Sequence, residues 1–370
     1  MKKLRPDLSI VLPCLNEEKT LSKCILNARE CGLISGINIE IVVADNGSVD
    51  KSRLIAAQEA DIFVEVAERG YGATLDAGIR AANGDFVLIA DSDLSYDFSL
   101  IAVFFKKLKN ENFDLVVGNR FKGSIMPGAM PWHHKYIGNP ALSFVGRLFF
   151  TSSIGDFHCG IRAFRKTSYL KSNPESIGME YASEMIIRFA FNSMKITEIP
   201  VTLSKDGRDR KPHLRSFRDG WRHLKLMLSL APQFTLLLPG ALMMLLGPLG
   251  FLILRQDNYV DQSSLAFIQE ILRCSYLFGT TIFTLGSIDI AHKKSYGIGK
   301  FKWLPNNNSR IRRNVVLFTP LFLVITGMYT VFFESYIFSR IDGLYFLVSG
   351  CIFLLGAYLV QRVLKSGKLI

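Results

Sequence analysis

The sequence lacks several patterns that mark common protein classes. Its six cysteines are scattered and no two form a CxxC pair, which argues against a zinc or redox site. We expect them to stay reduced and to fill small apolar positions. No GxGxxG turn follows the first strand-like run. The glycine pair Gly70 and Gly72 has Leu75 where the third glycine would stand, which argues against a nicotinamide cofactor. The N-terminal residues also lack the apolar run of a signal peptide.

Long apolar runs are absent from the first half of the chain but frequent in the second. Four of them occupy about residues 226–254, 265–290, 315–338 and 344–364, and each could cross a hydrocarbon layer of ~30 Å as a helix. The connection between the second and third runs holds seven Lys or Arg residues, whereas the other two connections hold little positive charge. By the positive-inside rule, that connection, both termini and the first half face the cytoplasm. The sequence predicts an integral membrane protein, in the plasma membrane if its source is bacterial.

The first half alternates strand and helix patterns. Apolar or β-branched runs predict strands, and the segments between them have helical spacing, including a helix over 16–31 closed by Gly32. This alternation is typical of an α/β domain with a mostly parallel sheet covered on both faces. We expect a Rossmann-like domain over 1–212, a basic interfacial helix over 213–230, and a transmembrane domain of about four helices over 231–370. The predicted strands cover residues 8–13, 39–45, 61–66, 86–91 and 114–120.

Two carboxylates, Asp91 and Asp93, stand at the end of the predicted strand 86–91. In parallel sheets, ligands bind beyond the carboxyl ends of the strands. Carboxylates this close repel each other, and a hard divalent cation that also binds phosphate oxygens would relieve the repulsion. On these residues alone, a helix cap or a solvated turn is the commoner meaning of such a pair.

Six motifs, in order, carry a resemblance to a known family: PCLNEE, DNGSVD at 45–50, RGYGATLDAG, DSD at 91–93, VGNRF and DFHCGIRAFR at 156–165. Over about residues 8–225 the chain resembles the inverting family-2 glycosyltransferases of the GT-A fold. More narrowly, it is similar to the polyprenyl-phosphate glycosyltransferases, which include the dolichyl-phosphate mannose and glucose synthases. The resemblance implies transfer of one sugar, glucose or another hexose, from a UDP- or GDP-linked donor to undecaprenyl or dolichyl phosphate. It also implies Mg²⁺ or Mn²⁺ as cofactor, and a product used in cell-envelope glycan or glycosylation pathways.

The resemblance also implies roles for particular residues. It makes Asp93 and Asp91 metal ligands, and it makes Asp156, Asp91 and Arg162 the catalytic set. The implied donor-binding positions are Pro13, Leu15, Glu17, Asp45, Asn46, Gly72, Asp91, Arg120, Arg208 and Arg210, and the implied acceptor-phosphate positions are Lys211 and Arg215. Structural explanations stay open for three of these: a helix-start carboxylate for Glu17, a plain turn for Gly72, and a solvated strand end for Arg120.

A basic segment over 205–225 holds eight Lys or Arg residues against three Asp, directly before the first apolar run. Both a membrane-surface anchor and a phosphate grip explain this charge. Nucleic acid is not an expected partner, because aromatic and basic residues do not interleave outside the amphipathic stretch.

Other functions are weighed beside single-sugar transfer. A processive polysaccharide synthase is an alternative, although the chain holds no Arg-Trp pair and so lacks the QxxRW motif of those enzymes. The C-terminal block as a carrier-lipid scaffold or translocator, with sugar transfer secondary, is another, and assembly as a homo-oligomer is left open.

Overall fold

The computed structural model describes residues 5–150, 153–208 and 215–255, together with 268, 271–272, 275–276, 278–287, 289, 348 and 351. Packing divides the chain into two units, Met1–Met227 and Leu228–Ile370. The division falls inside the predicted interfacial helix over 213–230, so neither predicted boundary coincides with it. Of the predicted transmembrane runs, the third and most of the fourth lie outside the described residues.

The first unit is built on a sheet of seven described strands, of which β1 to β5 follow the five predicted runs and β6 and β7 were not among them. In the described part of the chain these strands pair in the order β3-β2-β1-β4-β6-β5-β7. Neighbours are parallel, except that β6 runs antiparallel to both β4 and β5. The predicted α/β sheet is therefore confirmed, with one reversed strand near its middle. The strands are β1 (Leu8–Cys14), β2 (Ile39–Asp45), β3 (Ile62–Glu65), β4 (Phe86–Ile89), β5 (Leu115–Ile125), β6 (Arg162–Arg165) and β7 (Ile196–Leu203).

Helices cover both faces of the sheet, which explains why the central strands are apolar on both sides. Val11, Val42 and Leu88 are fully buried, as expected for strands that lie between two helical layers. The described helices of the first unit are α1 (Leu21–Ile34), α2 (Ser52–Glu59), α3 (Tyr71–Ala81), α4 (Ile101–Lys109), α5 (Asn139–Phe150), α6 (Lys166–Ser172) and α7 (Tyr181–Phe191), and α8 (Ser216–Leu230) begins in the first unit and ends in the second.

Helix α1 starts later than its sequence pattern predicts. The helix was expected to begin at Asn16, but Asn16 has a positive φ of 58°, and the next residues form a turn before α1 begins at Leu21. The carbonyl of Glu17 accepts hydrogen bonds from the amides of Thr20 and Leu21, which closes that turn. The consequence is functional, because Glu17 belongs to the loop after β1 and not to a helix.

The second unit is described mainly through α9 (Leu238–Arg255) and a helical stretch at 278–287. These two approach closely at Gly240 and Gly279, where a Cβ on Gly279 would lie 2.8 Å from the carbonyl oxygen of Gly240. Among the described helices, none is by itself both long enough and apolar enough to cross a membrane. The segments Ser216–Leu230 and Gln233–Leu246 meet that criterion as a pair bent by 78°. The four-helix transmembrane domain stays a prediction.

Candidate active site

Parallel pairing brings the polar ends of three strands to one edge of the sheet. Strand β1 lies between β2 and β4, with Cys14 opposite Asp45 and Val11 opposite Ile89. The loops that follow these strands therefore meet, and the hydroxyl of Ser92 donates to the carbonyl of Pro13 at 2.6 Å. The predicted position of the site, at the carboxyl ends of β1, β2 and β4, is what this pairing produces.

The carboxylate pair lies in the loop directly after β4. Asp91 is partly buried and accepts a hydrogen bond from the hydroxyl of Tyr71 at 3.1 Å. Asp93 is almost fully buried, and its Oδ1 accepts from the amide of Ser95 at 3.0 Å. Leu94, between Asp93 and Ser95, has a positive φ of 66°, an unusual conformation for a leucine. Such strain concentrates at functional sites, where the surroundings hold it in place.

The surroundings of Asp91 disfavour its charged form. Burial, and then the charge of Asp93, raise the pKa of Asp91 to about 6, against the opposing effect of Arg208. The backbone approaches it closely, because a Cβ at Gly160 would lie 2.4 Å from Asp91 Oδ2. A larger residue at position 160 would therefore have to displace the carboxylate of Asp91.

An arginine from the basic segment reaches this pair. The Nη1 atom of Arg208 lies 3.1 Å from Asp93 Oδ2, and its Nε donates to Glu17 Oε1 at 2.8 Å. Glu17 is buried, and its other oxygen accepts from the hydroxyl of Thr20. A guanidinium thus neutralises the charge that gathers at the carboxyl edge.

The residues fit a divalent cation in their chemistry, with part of the coordination to be supplied by a ligand. Asp91 and Asp93 would hold the ion, and the guanidinium on Asp93 shows that a positive charge is stabilised at this point. Among the residues that the structure describes, no group of three or more His, Cys, Asp or Glu side chains is arranged to hold a metal. Phosphate oxygens of a bound nucleotide are the ligands that would complete the set.

The acidic turn after β2 is held by its own backbone. Asp45 accepts hydrogen bonds from the amides of Gly47 and Ser48, and also from the hydroxyl of Ser48. The side chain of Asn46 donates to the carbonyls of Val66 and Glu68 and accepts from the amide of Gly70 at 2.8 Å. These bonds fix the turn beside the site. Pro13, near the end of β1, and Leu15, in the loop after it, are partly buried. Donor binding by this group stays a prediction.

Helix α3 does not present its first amides to the site. The amides of Gly72 and Ala73 both donate to the carbonyl of Ile177, at 2.9 and 3.3 Å. The predicted donor-binding position Gly72 therefore has no free backbone amide to offer a donor, because a distant loop already caps that end of the helix. Gly72 is instead a packing requirement, since a Cβ there would lie 2.1 Å from the carbonyl oxygen of Ser176.

Gly72→Ala is therefore expected to destabilise the first unit by about 1–3 kcal/mol, because the added methyl group overlaps backbone that cannot move freely. The matched change Gly220→Ala meets nothing within 4 Å and lies inside α8, so it should be neutral or slightly stabilising. Thermal unfolding of the two purified variants checks this. Equal unfolding temperatures for both would contradict the packing role of Gly72.

A buried ion pair joins two predicted site residues that lie on different elements. Arg120, in β5, donates from Nε to Asp156 Oδ2 at 2.7 Å and from Nη2 to Asp156 Oδ1 at 2.8 Å. Asp156 is fully buried, and it also accepts from the amides of Arg120 and His158. Both oxygens of the Asp156 carboxylate thus accept hydrogen bonds from protein groups. The carboxylate orients Arg120, which is the more exposed of the two side chains.

Arg162 has a structural environment of its own. Its guanidinium is buried and donates to the carbonyls of Phe157, Cys159 and Ala182. These contacts hold the loop that carries Asp156 against α7. A catalytic role for Arg162 stays a prediction, and the geometry shows its support of this loop.

The predicted phosphate-binding residues are only partly described. Arg208 is placed on the carboxylates, whereas Arg210 and Lys211 lie outside the described residues. Arg215 is exposed, and its amide donates to Asp219 Oδ2 at 2.7 Å, which caps the start of α8.

Two groups near the site were missed by the sequence reasoning. Tyr71, which bonds Asp91, lies inside the RGYGATLDAG motif, so its place between the two glycines was an available signal. The second group is a pair of histidines, His158 and His223, whose rings meet edge to face with centroids 4.5 Å apart. Ser183 bonds both, at 3.3 and 2.8 Å. Because His223 belongs to α8, this group ties the basic helix to the loop of Asp156.

The histidine pair makes stability depend on pH. Burial, and then the neighbouring His223, lower the pKa of His158 well below its usual value near 6.5. His158 stays neutral when folded but gains a proton when unfolded, so stability present above pH 6.5 is lost as the pH falls below it. Unfolding temperatures measured between pH 7.5 and 5.5 should fall less steeply in His158→Asn than in the wild-type protein. Equal slopes would contradict this assignment.

The fold and the edge site together define an α/β domain with a mostly parallel sheet and acidic residues at the carboxyl ends of its strands. Residues 9–171 match the sequence profile of glycosyl transferase family 2. This part of the chain is therefore a family 2 glycosyltransferase domain, as the six motifs predicted.

Known relatives agree with this domain assignment. The low-salt glycan biosynthesis hexosyltransferase Agl6 of Haloferax volcanii is 34% identical over 250 residues, 68% of this chain and 60% of Agl6. A dolichol-phosphate mannosyltransferase of Pyrococcus furiosus is 26% identical over 53% of this chain and 56% of that protein. This chain thus spans less than two thirds of either relative.

Solved structures match this chain at low sequence identity. Glucosyl-3-phosphoglycerate synthase from Mycobacterium tuberculosis, crystallised with Mn²⁺, uridine diphosphate and glucosyl-3-phosphoglycerate, matches with 20% identity and a TM-score of 0.45. The match covers 60% of this chain and 76% of that one.

Proposed function

We propose that this chain transfers one hexose from a UDP- or GDP-linked donor to a polyprenyl phosphate, with inversion at the anomeric carbon. The observation that carries the proposal is the Asp91–Asp93 pair at the carboxyl edge, with a basic side chain, Arg208, bound to it. Two relatives support the chemistry: one is named a hexosyltransferase and the other a dolichol-phosphate mannosyltransferase.

The reaction is a single displacement. An oxygen of the lipid phosphate attacks the anomeric carbon while the bond from that carbon to the nucleoside diphosphate breaks, and the diphosphate leaves with the bonding electrons. A divalent cation bound at Asp91 and Asp93 would neutralise the charge of that leaving group. The lipid phosphate is already anionic at neutral pH, so no base is needed to activate it. Asp156 then acts by orienting Arg120, and not as a proton acceptor.

A polyprenyl phosphate acceptor is a membrane lipid, so the proposed reaction takes place at a membrane surface. Phe217 and Trp221, one turn apart on α8, are 93% and 62% exposed, and basic residues flank them. A helix with exposed aromatic residues and flanking cations suits the surface of an anionic bilayer. We therefore propose that α8 lies on the cytoplasmic membrane surface, followed by a membrane anchor of about four helices.

The function is tested by offering a panel of UDP- and GDP-linked hexoses to the purified full chain in detergent, with a short-chain polyprenyl phosphate as acceptor. One donor should give a lipid-phosphate-linked sugar, equal amounts of nucleoside diphosphate, and inverted configuration by NMR. Sugar polymer as the product would favour a processive synthase. Nucleoside diphosphate released without any glycolipid would contradict transfer to lipid.

The membrane arrangement predicts which side of the bilayer the basic connection faces. A cysteine introduced by Ser295→Cys should react with an impermeant maleimide only after the cytoplasmic face is opened, because the positive charge of this connection keeps it inside. The wild-type chain, with its six native cysteines, is the control for background labelling. Labelling of Ser295→Cys from outside intact cells would overturn the four-helix arrangement.

A further inference from the structure

The backbone before Arg208 is fixed to the loop that carries the carboxylates. Leu203 forms a β-bridge with Tyr96, and the amide of Ser204 donates to the carbonyl of Ser95 at 2.9 Å. The amide of Gly207 then donates to the carbonyl of Asp93, also at 2.9 Å. The chain is therefore held along the loop as far as the residue before Arg208, and Arg208 can leave the site by moving its side chain alone.

The side chain of Arg208 pairs with Asp93 Oδ2, an oxygen that a metal ion held by Asp93 would compete for. One carboxylate oxygen of Asp93 accepts a hydrogen bond from the amide of Ser95, and the other pairs with the guanidinium of Arg208. Arg208 is 16% exposed, and its partners Glu17 and Asp93 are 3% and 8% exposed. Water therefore screens these ion pairs weakly. A cation arriving alone must displace Arg208 from Asp93 and leave the guanidinium without that partner.

A nucleoside diphosphate changes this balance. Its phosphate oxygens accept the paired N–H groups of a guanidinium at least as well as a carboxylate does. A cation that arrives with a diphosphate therefore gives Arg208 a new anionic partner as the carboxylate is taken from it. The net charge of the site also changes less when both ligands enter than when a divalent cation enters alone.

We propose that Arg208 makes cation binding depend on the nucleotide: its guanidinium holds Asp93 against free divalent ions and moves to the diphosphate when cation and nucleotide bind together. This inference rests on the proposed metal-dependent transfer, and it goes beyond it by assigning an order of binding. It also gives Arg208 two anionic partners in turn. The coupling is reciprocal, so the cation must equally strengthen nucleotide binding.

The test measures Mn²⁺ binding, by electron paramagnetic resonance or calorimetry, to the full chain in detergent and without nucleotide. Arg208→Gln should bind Mn²⁺ about tenfold or more tightly than the wild-type protein, since the competing charge-assisted bonds are gone. Arg208→Lys keeps the competing charge and should bind closer to wild type. Arg80→Gln removes an arginine that pairs with Asp76 near the far end of α3, and should leave Mn²⁺ affinity unchanged.

Repeating the titration with saturating UDP, and separately with GDP, completes the cycle. The wild-type protein should gain much more Mn²⁺ affinity from the matching nucleotide than Arg208→Gln gains. Equal Mn²⁺ affinity of both proteins without nucleotide, with tight binding in both once nucleotide is added, would overturn the role of Arg208 and leave the transferase proposal standing. Failure of every variant to bind Mn²⁺, even with nucleotide, would contradict metal-dependent transfer and this inference with it.

Discussion

Asp156→Asn is expected to destabilise the first unit by about 3 kcal/mol or more, because Arg120 would stay buried against a neutral amide. For a domain of this size, that corresponds to an unfolding temperature lower by on the order of 10 °C. Sugar transfer should be lost as well, since Arg120 would no longer be held in its present orientation. Thermal unfolding and transfer assays on one preparation measure both effects.

A double variant separates the fold from the chemistry. Arg120→Met combined with Asp156→Leu replaces the buried pair by apolar side chains, a change that often restores stability or leaves it unaffected. We expect the unfolding temperature to recover while transfer stays low, because the donor side would still lack its guanidinium. Recovery of both stability and transfer would show that the pair serves the fold alone, and would contradict the predicted site role of Asp156 and Arg120.

The sheet and the position of the site could be predicted because they depend on local patterns. The apolar runs that became β1, β2 and β4 each fix their own strand, and parallel strands necessarily end at the same edge. The sequence pattern therefore predicts that Asp91 and Asp93 lie at the carboxyl end of β4, which is where the structure has them, although β4 ends at Ile89 and not at Asp91. Their predicted role as metal ligands depends on the order of the six motifs, since a carboxylate pair alone is ambiguous.

The contacts that complete the site depend on long-range packing, which local patterns do not reveal. Arg208 meets Glu17 across 191 residues of sequence. That contact requires β7 to pair at the sheet edge beside β5, so that the following residues run back along the loop after β4. Strand β6 is reversed for a similar reason, because it enters between β4 and β5. In the same way, no local sequence pattern predicts that the carbonyl of Ile177 caps the start of α3, because the two segments are distant in sequence.

Asp93→Asn is expected to lower sugar transfer by at least about a thousandfold, because a neutral amide cannot balance a divalent cation at the leaving diphosphate. The fold should survive this change. The variant removes one of two mutually repelling carboxylates, and Arg208 keeps its bond to Glu17. The measurement pairs initial transfer rates over a range of Mn²⁺ concentrations with thermal unfolding of the same preparation.

The same loop offers a matched control for this prediction. Asp97 is exposed and caps a short turn by accepting from the amide of Ser99 at 2.8 Å. Asp97→Asn removes an equal charge four residues away, so it should keep transfer near the wild-type rate and cost at most about 1 kcal/mol of stability. Comparable losses of transfer in both variants would point to the loop charge in general. Transfer by Asp93→Asn that persists in the presence of a chelator would rule out the cation at Asp93.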